Sequence, residues 1–597
     1  MKKCCIKVRT VALPLLKDRS SKRHNQLDEV MSAQCREIWL RLNEIALKPL
    51  PDDLHLDRLR VKVPAVLQYF TEISRVKTIN IADLTKQDES YLASLGISPA
   101  HLVRNLKKTL TTRYFDPLKF QLDAVRSRSV EGFCPFGGEP VTFRQSLLAN
   151  INVIFYRCET KQVFYVATAG IGSGFRKSAL YFPKHELVVT AGDPWGFQED
   201  DLMELKARMV CGAKACYEYL SDTNWKSRRS AVCLGFYHFA HHLWNELSGL
   251  HRLYKKNLLQ SVDKFLVLRE PLGPIEELFP EIPDEKIDRN DDTNDLFHKI
   301  LENGYFAVKV GDDYLPRDLA SRVSKVSLAY CLPTTREMVK EAKRKSRPLI
   351  WVGIRVGNRA WADQIVGLSN VITCLQKEYP ALGVVFDGFS LPADMRAQSI
   401  ERQGYSEILA LENKIVNGIV ENLQQRQVAV NIFNIIGLSI FDANVWAHAI
   451  DVYVSPYGSL QHKVGWLANK PGLVHANETL IQSPAEYVWA AVENGIPPRY
   501  VKIASVTDIE SESKERMAYN EISDASESGA GIHAVNKRRS ANSEFSNYSV
   551  QWEALHNDLV DLIRSPRTKR SMMRVLLTTR IKRKLRTTLR KVTSVLS

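Results

Sequence analysis

The chain has 597 residues, of which 45% are hydrophobic and 25% charged, and this composition excludes a collagen-like, largely disordered or disulfide-scaffold protein. Twelve basic and no acidic side chains lie between residues 564 and 591; they leave only +3 of the net charge of +15 for the rest of the chain, which does not favour a nucleic-acid-binding body. The length allows roughly two to four domains. The sequence contains no run of about 20 apolar residues, the length needed to span a bilayer. The ten cysteines are scattered and include no CxxC pair. We therefore expect a cytoplasmic protein with reduced cysteines.

Residues 1–130 are predicted to be mostly helical, because apolar residues recur there at helical spacing. From about residue 131 the pattern changes, and two β-rich runs around a polar turn at 159–161 predict a hairpin. Further strands are predicted at 187–190 and 230–237, the second leading into a helix at 238–254. We interpret residues 131–338 as one α/β domain.

A charged stretch that ends in proline, residues 340–348, is predicted to link this domain to the next. In residues 349–505 apolar strands alternate with helices of ordinary length, and this alternation predicts a parallel sheet covered on both faces. The predicted strands are 349–355, 383–387, 428–436, 451–455 and 472–475, and the predicted helices are 362–378, 406–424, 441–449 and 460–468.

The end of the chain is predicted to hold a flexible segment and a basic helix. Residues 506–547 are rich in Ser, Glu, Asn and Gly and poor in apolar residues, as flexible linkers are. Within 548–597, apolar residues recur every three to four positions among arginines and lysines: Met573, Leu577, Ile581, Leu585, Leu589, Val592 and Leu596. This pattern is typical of a basic amphipathic helix on an anionic membrane surface. A helix packed on the body and a nucleic-acid-binding arm are the alternatives.

Small and polar residues follow the predicted strand 451–455. Ser455 ends this strand, Tyr457, Gly458 and Ser459 lie between it and the helix that begins near Leu460, and Lys463 comes one turn further into that helix. Ligands of doubly wound sheets bind at the carboxyl ends of strands, and the N–H groups at a helix start suit a phosphate. An ordinary capped helix start is the alternative. The chain contains neither a P-loop nor a dinucleotide-binding motif.

A second polar group follows the predicted strand 349–355. Arg355, Asn358 and Arg359 lie at or beyond its carboxyl end, and Asp387 ends the neighbouring strand. Guanidinium groups grip phosphate oxygens through paired hydrogen bonds, so these residues predict an anion site at this edge of the sheet. A salt-bridge cluster of the arginines with Asp363 or Asp387 is the structural alternative.

The third group lies on the predicted helix 238–254. His238, His242 and Glu246 are spaced by four residues and share one face, with His241 and Asn245 beside them. A His or Glu in this group could act as general base in a cleft, because both can be tuned to titrate near neutral pH. A metal site is a second interpretation, although the HExxH arrangement is absent. A polar helix face between domains is the third.

Two of these segments resemble the family-61 glycosyltransferases and related bacterial polysaccharide and capsule biosynthesis enzymes. That family has a helix of the form G-H-W-L-x-E-E-L-P-x-L, and residues 240–250 match its His, its Leu and its second Glu, but differ at the glycine, at the first Glu (Asn245) and at the proline (Ser248). Residues 457–463 resemble the family's H-G-A-G-x-x-N segment, with Lys463 in place of the asparagine.

The resemblance implies an α/β fold of the GT-B type, in which two Rossmann-like doubly wound domains enclose a cleft. Residues 131–338 would form the acceptor-side domain and 349–505 the nucleotide-sugar-binding domain, with a helical N-terminal region and a basic amphipathic C-terminal helix added. The candidate donor-binding residues are then Arg355, Asn358, Arg359, Asp387, Ser455, Tyr457, Gly458, Ser459 and Lys463, and the candidate catalytic residues are His241, Glu246 and His242.

Glycosyl transfer needs a neutralised diphosphate leaving group and a deprotonated acceptor hydroxyl. An arginine pair with a helix start meets the first need without a metal, and His241 or Glu246 meets the second, so we expect no metal and no cofactor. The expected partners are a nucleotide sugar, a glycan or lipid-linked acceptor and, through the tail, the anionic inner face of a membrane, with no nucleic acid. A nucleotide-sugar epimerase of the same architecture and a non-catalytic polysaccharide-assembly protein are the alternatives.

Overall fold

The computed structural model describes residues 33–49, 63–73, 75–106, 116–170, 174–193, 196–236, 238–394, 398–482, 492–509, 546–566 and 568. The chain divides into two compact units. Unit 1 comprises Met1–Ala169, Arg176–Ala231 and Thr293–Val308, and unit 2 comprises Gly170–Phe175, Val232–Asp292 and Lys309–Ser597. The predicted domain 131–338 is therefore divided between the two units, and unit 2 also contains the whole of the predicted domain 349–505.

Unit 1 begins with helices, as the sequence predicts, but it also includes a strand. The elements before residue 130 are α1 (33–42), α2 (Val63–Ile73), β1 (Lys77–Asn80), α3 (Lys86–Ser94), α4 (Pro99–Leu106) and α5 (Lys119–Ser127). Helix α3 starts at a capping box, in which Thr85 Oγ1 accepts from the N–H of Asp88 at 3.1 Å.

Strands that follow one another in the sequence form the sheet of unit 1. After the antiparallel pair β2 (Val130–Phe133) and β3 (Pro140–Phe143) come β4 (Gln145–Asn150), β5 (Val153–Glu159), β6 (Val163–Ala169), β7 (Arg176–Phe182) and β8 (Leu187–Thr190), and then helices α6 (Glu199–Cys211) and α7 (Ala213–Ser221). The sheet order is β1-β8-β7-β6-β5-β4, with β1 parallel to β8 and the other pairs antiparallel.

The predicted hairpin is confirmed as β5 and β6, in which Ile154 pairs with Thr168. The prediction of a doubly wound domain from residue 131 is wrong for this sheet. Only three residues connect β5 to β6, and connections this short permit antiparallel pairing alone, because a parallel pair needs a crossover of a dozen or more residues.

The next part of the chain alternates strands and helices. The strands are β9 (Arg229–Leu234), β10 (Lys264–Val267), β11 (Ile287–Arg289) and β12 (Tyr305–Val308), and β11, β10 and β9 are neighbours in that order, with β10 parallel to β11. The helices are α8 (Phe239–His241), α9 (Ser248–Lys255), α10 (Ile275–Leu278), α11 (Thr293–Glu302), α12 (Arg317–Tyr330) and α13 (Pro333–Lys345). A π-helical segment, His242–Leu247, joins α8 to α9 without a break.

The linker predicted at 340–348 is wrong in its first part, because α13 continues to Lys345. The charged side chains that suggest a linker are helix-surface pairs instead: Glu341 pairs with Arg344 at 2.6 Å and with Lys345 at 2.8 Å.

The parallel sheet predicted for residues 349–505 is confirmed. Its strands are β13 (Leu349–Gly353), β14 (Gly383–Asp387), β15 (Asn431–Asn434), β16 (Val452–Pro456), β17 (Gly472–His475) and β18 (Arg499–Tyr500), in the order β15-β14-β13-β16-β17-β18 with parallel neighbours. The helices are α14 (Gln364–Glu378), α15 (Gln398–Gln425), α16 (Ile440–Ala449), α17 (Leu460–His462) and α18 (Glu478–Gln482), and a second π-helical segment, Lys463–Leu467, continues α17.

Side chains of this sheet enter two cores, one on each face. Ile350 and Val352 of β13 pack with residues of α14 and α15, whereas Leu349 and Trp351 pack with residues of α16 such as Trp446. Successive side chains of a strand point to opposite faces, so an unbroken apolar strand requires a cover on both sides, and the helices provide it.

The last described elements lie outside the predicted alternation. Strands β19 (Val506–Ile509) and β20 (Asn547–Val550) pair antiparallel, and helix α19 (Trp552–Arg564) follows. The predicted flexible segment 506–547 thus begins and ends in strands, and its residues 510–545 lie outside the described residues, as do residues 569–597 of the predicted basic helix. None of the helices that the structure describes is both long and apolar enough to cross a bilayer.

Candidate functional site

The parallel sheet of unit 2 reverses its strand order beside β13. The chain runs from β13 outward to β14 and β15, and it returns to the other side of β13 with β16. In open α/β sheets, ligands bind outside the carboxyl ends of the strands at such a switch point. The loops that follow β13 and β16 lie at this point, and they contain Arg355 and Gly458.

The loop after β13 orients the Arg355 side chain. Its Nε and Nη2 donate to the backbone oxygen and to Oδ1 of Asn358, both at 2.7 Å, and Gln364 Nε2 donates to the Arg355 carbonyl at 2.9 Å. Arg355 Nη1 lies against Gly458, where an added Cβ would be 3.0 Å away. The structure thus brings Arg355 and Gly458 together. Asn358 holds the Arg355 guanidinium group in position by accepting two hydrogen bonds from it.

Two candidate donor-binding residues in these loops have a backbone conformation with positive φ. Gly458 has φ +139° and Arg359 has φ +54°, conformations that turn the chain sharply and that only glycine adopts without cost. Tyr457 N donates to the His475 carbonyl at 2.9 Å, which ties the loop after β16 to the end of β17. Arg359, Tyr457, Gly458 and Ser459 are all half-buried and so can be reached by a ligand.

Ser455 differs from these residues. It is fully buried, and its Oγ donates to the Pro456 carbonyl at 3.1 Å. An added Cβ on Gly353 would be 2.7 Å from this Oγ, so Ser455 fills the space between β13 and β16. The predicted contact of Ser455 with a donor does not fit this position.

Lys463 and Asp387 form a buried ion pair with each other. Lys463 Nζ lies 2.9 Å and 2.7 Å from the two carboxylate oxygens of Asp387, and it also donates to the Gly388 carbonyl at 3.1 Å and to Ser390 Oγ at 2.8 Å. Both side chains are almost completely buried. The prediction that each binds the donor does not fit this arrangement, because the ammonium group already has its partners.

Burial also sets the protonation of the carboxylates beneath the loops. It raises the pKa of Asp387 to about 6, against the Lys463 charge that lowers it. Glu412 on α15 is buried nearby, with Oε2 accepting from Phe389 N at 2.7 Å, and burial raises its pKa to about 8. Glu412 was not among the residues predicted from the sequence, because it lies in the middle of a long helix and belongs to no motif.

Glu246 is an acceptor without remaining capacity. It is fully buried, and its two oxygens accept from Gly235 N at 2.9 Å, from Phe236 N at 3.0 Å, from His242 Nδ1 at 2.9 Å and from Lys309 Nζ. Burial would raise the pKa of Glu246, but Lys309 and His242 outweigh it and lower the pKa to about 2. The prediction of Glu246 as general base does not fit, because the carboxylate is inaccessible and weakly basic.

His241, in contrast, is half-buried, and a hydrogen bond to one of its ring nitrogens determines which nitrogen can act as a base. Asn245 Nδ2 donates to the Asp312 carbonyl at 3.0 Å, so Asn245 presents Oδ1 to His241 Nδ1 at 3.1 Å. Nδ1 must then donate, which leaves Nε2 as the nitrogen that can take up a proton. His242 is fully buried beside Glu246 and has no such access, so its predicted catalytic role does not fit.

Two further histidines lie close to His241. The rings of His238 and His241 are 5.2 Å apart, and His462 on α17 stacks on Trp466 with ring centroids 3.6 Å apart. Burial, and then the nearby His238 and His241, hold the pKa of His462 well below its usual range. Among the residues that the structure describes, no group of three or more His, Cys, Asp or Glu side chains could hold a metal ion.

The helices that carry these histidines share a feature that the sequence pattern did not reveal. Each contains one of the π-helical segments, His242–Leu247 and Lys463–Leu467, and Trp244 of the first contacts Trp466 of the second with ring centroids 5.4 Å apart. Such wider turns occur frequently at functional sites. Arg317 Nη1 donates to the Trp466 carbonyl at 2.7 Å, so a side chain takes part in the hydrogen bonding of the second π segment.

No protein-family model and no curated protein matches the sequence. Several solved structures align with it. A family 9 glycosyl transferase from Veillonella parvula aligns over 42% of this chain and 80% of its own, at 8% identity and a TM-score of 0.23. The α,α-trehalose 6-phosphate synthase of Burkholderia multivorans aligns over 67% of this chain and 86% of its own, at 8% identity and a TM-score of 0.21.

TarM of S. aureus, whose structure contains fondaparinux, α-GlcNAc-glycerol and UDP, aligns over 87% of this chain and 91% of its own, at 11% identity and a TM-score of 0.17. All three TM-scores lie far below 0.5, so these similarities assign neither a fold nor an activity to the chain. The resemblance to the family-61 glycosyltransferases stays a prediction.

Proposed function

We propose that this protein is a glycosyltransferase that moves a sugar from a nucleotide-sugar donor to a hydroxyl of a glycan or lipid-linked acceptor in polysaccharide biosynthesis. The two Rossmann-like parts that this proposal requires are the strands β9–β11 with their helices, which belong to unit 2 from Val232 onward, and the parallel sheet β13–β18, which lies within unit 2. The observation that carries the proposal is the meeting of Arg355 with Gly458 at the switch point of that sheet.

The site formed by Arg355 and Gly458 fits a diphosphate. Arg355 has two of its three nitrogens held by Asn358, so its remaining nitrogen and its charge are preorganised rather than mobile, which reduces the entropy lost when an anion binds. Arg359 lies four residues further along the same loop. Two guanidinium groups would neutralise the charge that develops on a departing nucleoside diphosphate without help from a metal.

The histidines fit the acceptor side. His462 lies four residues after Gly458, at the end of α17, and His241 and His238 are its neighbours. In the proposed reaction His241 Nε2 takes the proton of the acceptor hydroxyl. The hydroxyl oxygen then bonds to the anomeric carbon while the bond from that carbon to the diphosphate oxygen breaks, and the nucleoside diphosphate leaves with the electron pair.

The basic tail would bring the enzyme to its acceptor. We extend the proposal to a peripheral location on the inner face of a membrane, because the apolar stripe and the twelve basic residues between 564 and 591 suit an anionic lipid surface. Such a location favours a lipid-linked or membrane-proximal acceptor.

The first test concerns the donor. A thermal-shift screen with UDP, GDP, CDP and dTDP should show stabilisation by at least one of them, since a ligand of the native state raises the melting temperature. Arg355→Ala should weaken binding of that nucleotide by about 1.5–3 kcal/mol, the range for hydrogen bonds to charged groups. Arg344→Ala, which removes an exposed arginine of α13, is the matched control. Unchanged affinity in a folded Arg355→Ala variant would refute the donor site.

The second test concerns the base. His241→Ala should lower turnover by about 10²–10⁴-fold and leave nucleotide affinity nearly intact, because general-base catalysis contributes that much to a rate. His298→Ala, on the surface of unit 1, is the control. Release of free nucleotide only when an acceptor is present distinguishes a transferase from an epimerase. Full turnover in His241→Ala would show that another group takes the proton.

A further inference from the structure

Strand β20 (Asn547–Val550) runs along the loop that carries Arg355 and Arg359. Tyr548 N donates to the Ala360 carbonyl at 3.1 Å, and Ala362 N donates to the Tyr548 carbonyl at 2.9 Å. Asn547 Oδ1 accepts from Ala360 N at 3.0 Å. The part of the loop directly after Arg359 is therefore held as a short parallel ladder on β20, rather than by its own turns.

The Tyr548 side chain reaches the other loop of the switch point. It is fully buried, and its hydroxyl lies 2.9 Å from His475 Nδ1 and 3.3 Å from the His475 carbonyl. That same carbonyl accepts from Tyr457 N at 2.9 Å. Tyr548 thus bonds through its backbone to the loop after β13, and through its hydroxyl to the residue that anchors the loop after β16.

We propose that Tyr548 is a positioning residue for nucleotide binding, which sets the spacing between the Arg355–Arg359 loop and the Tyr457–Ser459 loop. The inference rests on the proposed function, because the two loops form the proposed donor site. Tyr548 need not touch the donor for this role. Its influence runs through hydrogen bonds to both loops, so a change at its hydroxyl alters the distance between Arg355 and Gly458 without removing either.

The surroundings of Tyr548 make this link rigid. Trp361, next to Ala360, is buried against the His475 ring at 5.6 Å between centroids, and Ser549 Oγ donates to Asp363 Oδ2 at 2.7 Å. Burial lowers the pKa of His475 to about 3, so the imidazole stays neutral and keeps its hydrogen bond throughout the physiological pH range. A rigid support holds a binding group in its productive geometry better than a mobile loop does.

The experiment compares two Tyr→Phe variants of the full chain. Tyr548→Phe keeps the ring and the backbone ladder but loses the hydroxyl. Tyr453→Phe removes an equally buried hydroxyl of β16, which has no hydrogen-bond partner in the described residues. Calorimetric titration with the best binder among UDP, GDP, CDP and dTDP should give a roughly 3- to 10-fold larger Kd for Tyr548→Phe, the effect of one buried hydrogen bond. Tyr453→Phe should bind as the wild type does.

The steady-state kinetics of Tyr548→Phe should agree with its calorimetric Kd. Tyr548→Phe should raise KM for the donor by the same factor and leave kcat at saturation within about twofold, because a positioning change that acts on binding alone is uniform between ground and transition state. Asn547→Ala, which frees Ala360 N without touching the Tyr548 hydroxyl, should weaken nucleotide binding as well.

Each outcome separates the inference from the proposal on which it rests. Wild-type affinity in Tyr548→Phe, with weakened binding in Arg355→Ala, overturns the positioning role and leaves the donor site standing. A lower melting temperature with unchanged Kd shows a structural role only and overturns it too, as does an equal loss in Tyr453→Phe. Absence of nucleotide binding in the wild type, or unchanged binding in Arg355→Ala, refutes the donor site and the positioning role with it.

Discussion

Removal of the Lys309 charge should expose how Glu246 is kept ionised in the interior of unit 2. Both side chains are fully buried, and Lys309 Nζ is one of the four groups that donate to the Glu246 carboxylate. Lys309→Met preserves most of the side-chain length but leaves a buried carboxylate without its counter-charge. Glu246→Gln creates the opposite defect, a buried ammonium facing a neutral amide.

The size of the effect follows from the carboxylate itself. The pKa of Glu246 is lowered from 4.5 to about 2, and at about 1.4 kcal/mol per pKa unit this corresponds to about 3 kcal/mol of stability at neutral pH. Breaking a buried pair by removal of one partner costs about 3–5 kcal/mol. We therefore expect each single variant to lose about 3–5 kcal/mol, and the double variant to lose clearly less than the sum, since it leaves no charge uncompensated.

Urea unfolding at pH 7, followed by tryptophan fluorescence, would measure the midpoints, which report stability when the slopes are equal. Lys340→Met is the matched control, because Lys340 pairs with Glu337 on the surface of α13 with both side chains exposed by 70% or more, and such pairs contribute about 0–1 kcal/mol. Additive single effects, or a loss in Lys309→Met no larger than in Lys340→Met, would refute the reasoning.

Three further predictions follow from other residues. Burial raises the pKa of Glu412 from 4.5 to about 8, so the folded chain keeps a proton that the unfolded chain releases; wild-type stability should fall as pH rises from 4.5 to 8, and Glu412→Gln should flatten that dependence in urea titrations. Gly458→Ala should weaken nucleoside diphosphate binding by about 1.5–3 kcal/mol, because its Cβ would displace Arg355, whereas Gly96→Ala, with φ +71° and open space around it, should not. Deletion of residues 565–597 should abolish sedimentation with anionic liposomes and keep nucleotide binding, and a truncated protein that still sediments would contradict the membrane assignment.

The sequence allowed a good prediction of strands β13–β17 of the parallel sheet, because each is a short apolar run followed by polar loop residues. Arg355 was identified for the same reason, since a charged residue directly after a buried strand stands out in the pattern. The two-residue strand β18 (Arg499–Tyr500) has no such run and was not predicted. The sheet of unit 1 was wrongly predicted to be doubly wound, because strand-rich and helix-rich stretches there resemble an alternating α/β fold. The lengths of the connections decide the pairing, and the short connections between consecutive strands make it antiparallel.

The candidate site was predicted less completely because its decisive contacts join residues far apart in the chain. Lys463 and Asp387 each resembled a ligand contact when taken alone, and only their pairing across 76 positions shows that they satisfy each other. The same holds for Lys309 with Glu246, 63 positions apart. The π-helical segments leave no mark in the apolar periodicity, because one wider turn shifts it too little.

The position of β20 in the chain has a consequence for synthesis. The strands β13–β18 are complete once residue 500 has been made, but Ala360 N, Ala360 O and Ala362 N find their partners only in Asn547 and Tyr548. During synthesis on the ribosome, nearly fifty more residues must therefore be added before the loop that carries Arg355 and Arg359 can form its hydrogen bonds with β20. A message truncated between the codons for Tyr500 and Asn547 would yield a chain that has both arginines of the proposed donor site and none of the strand that arranges them.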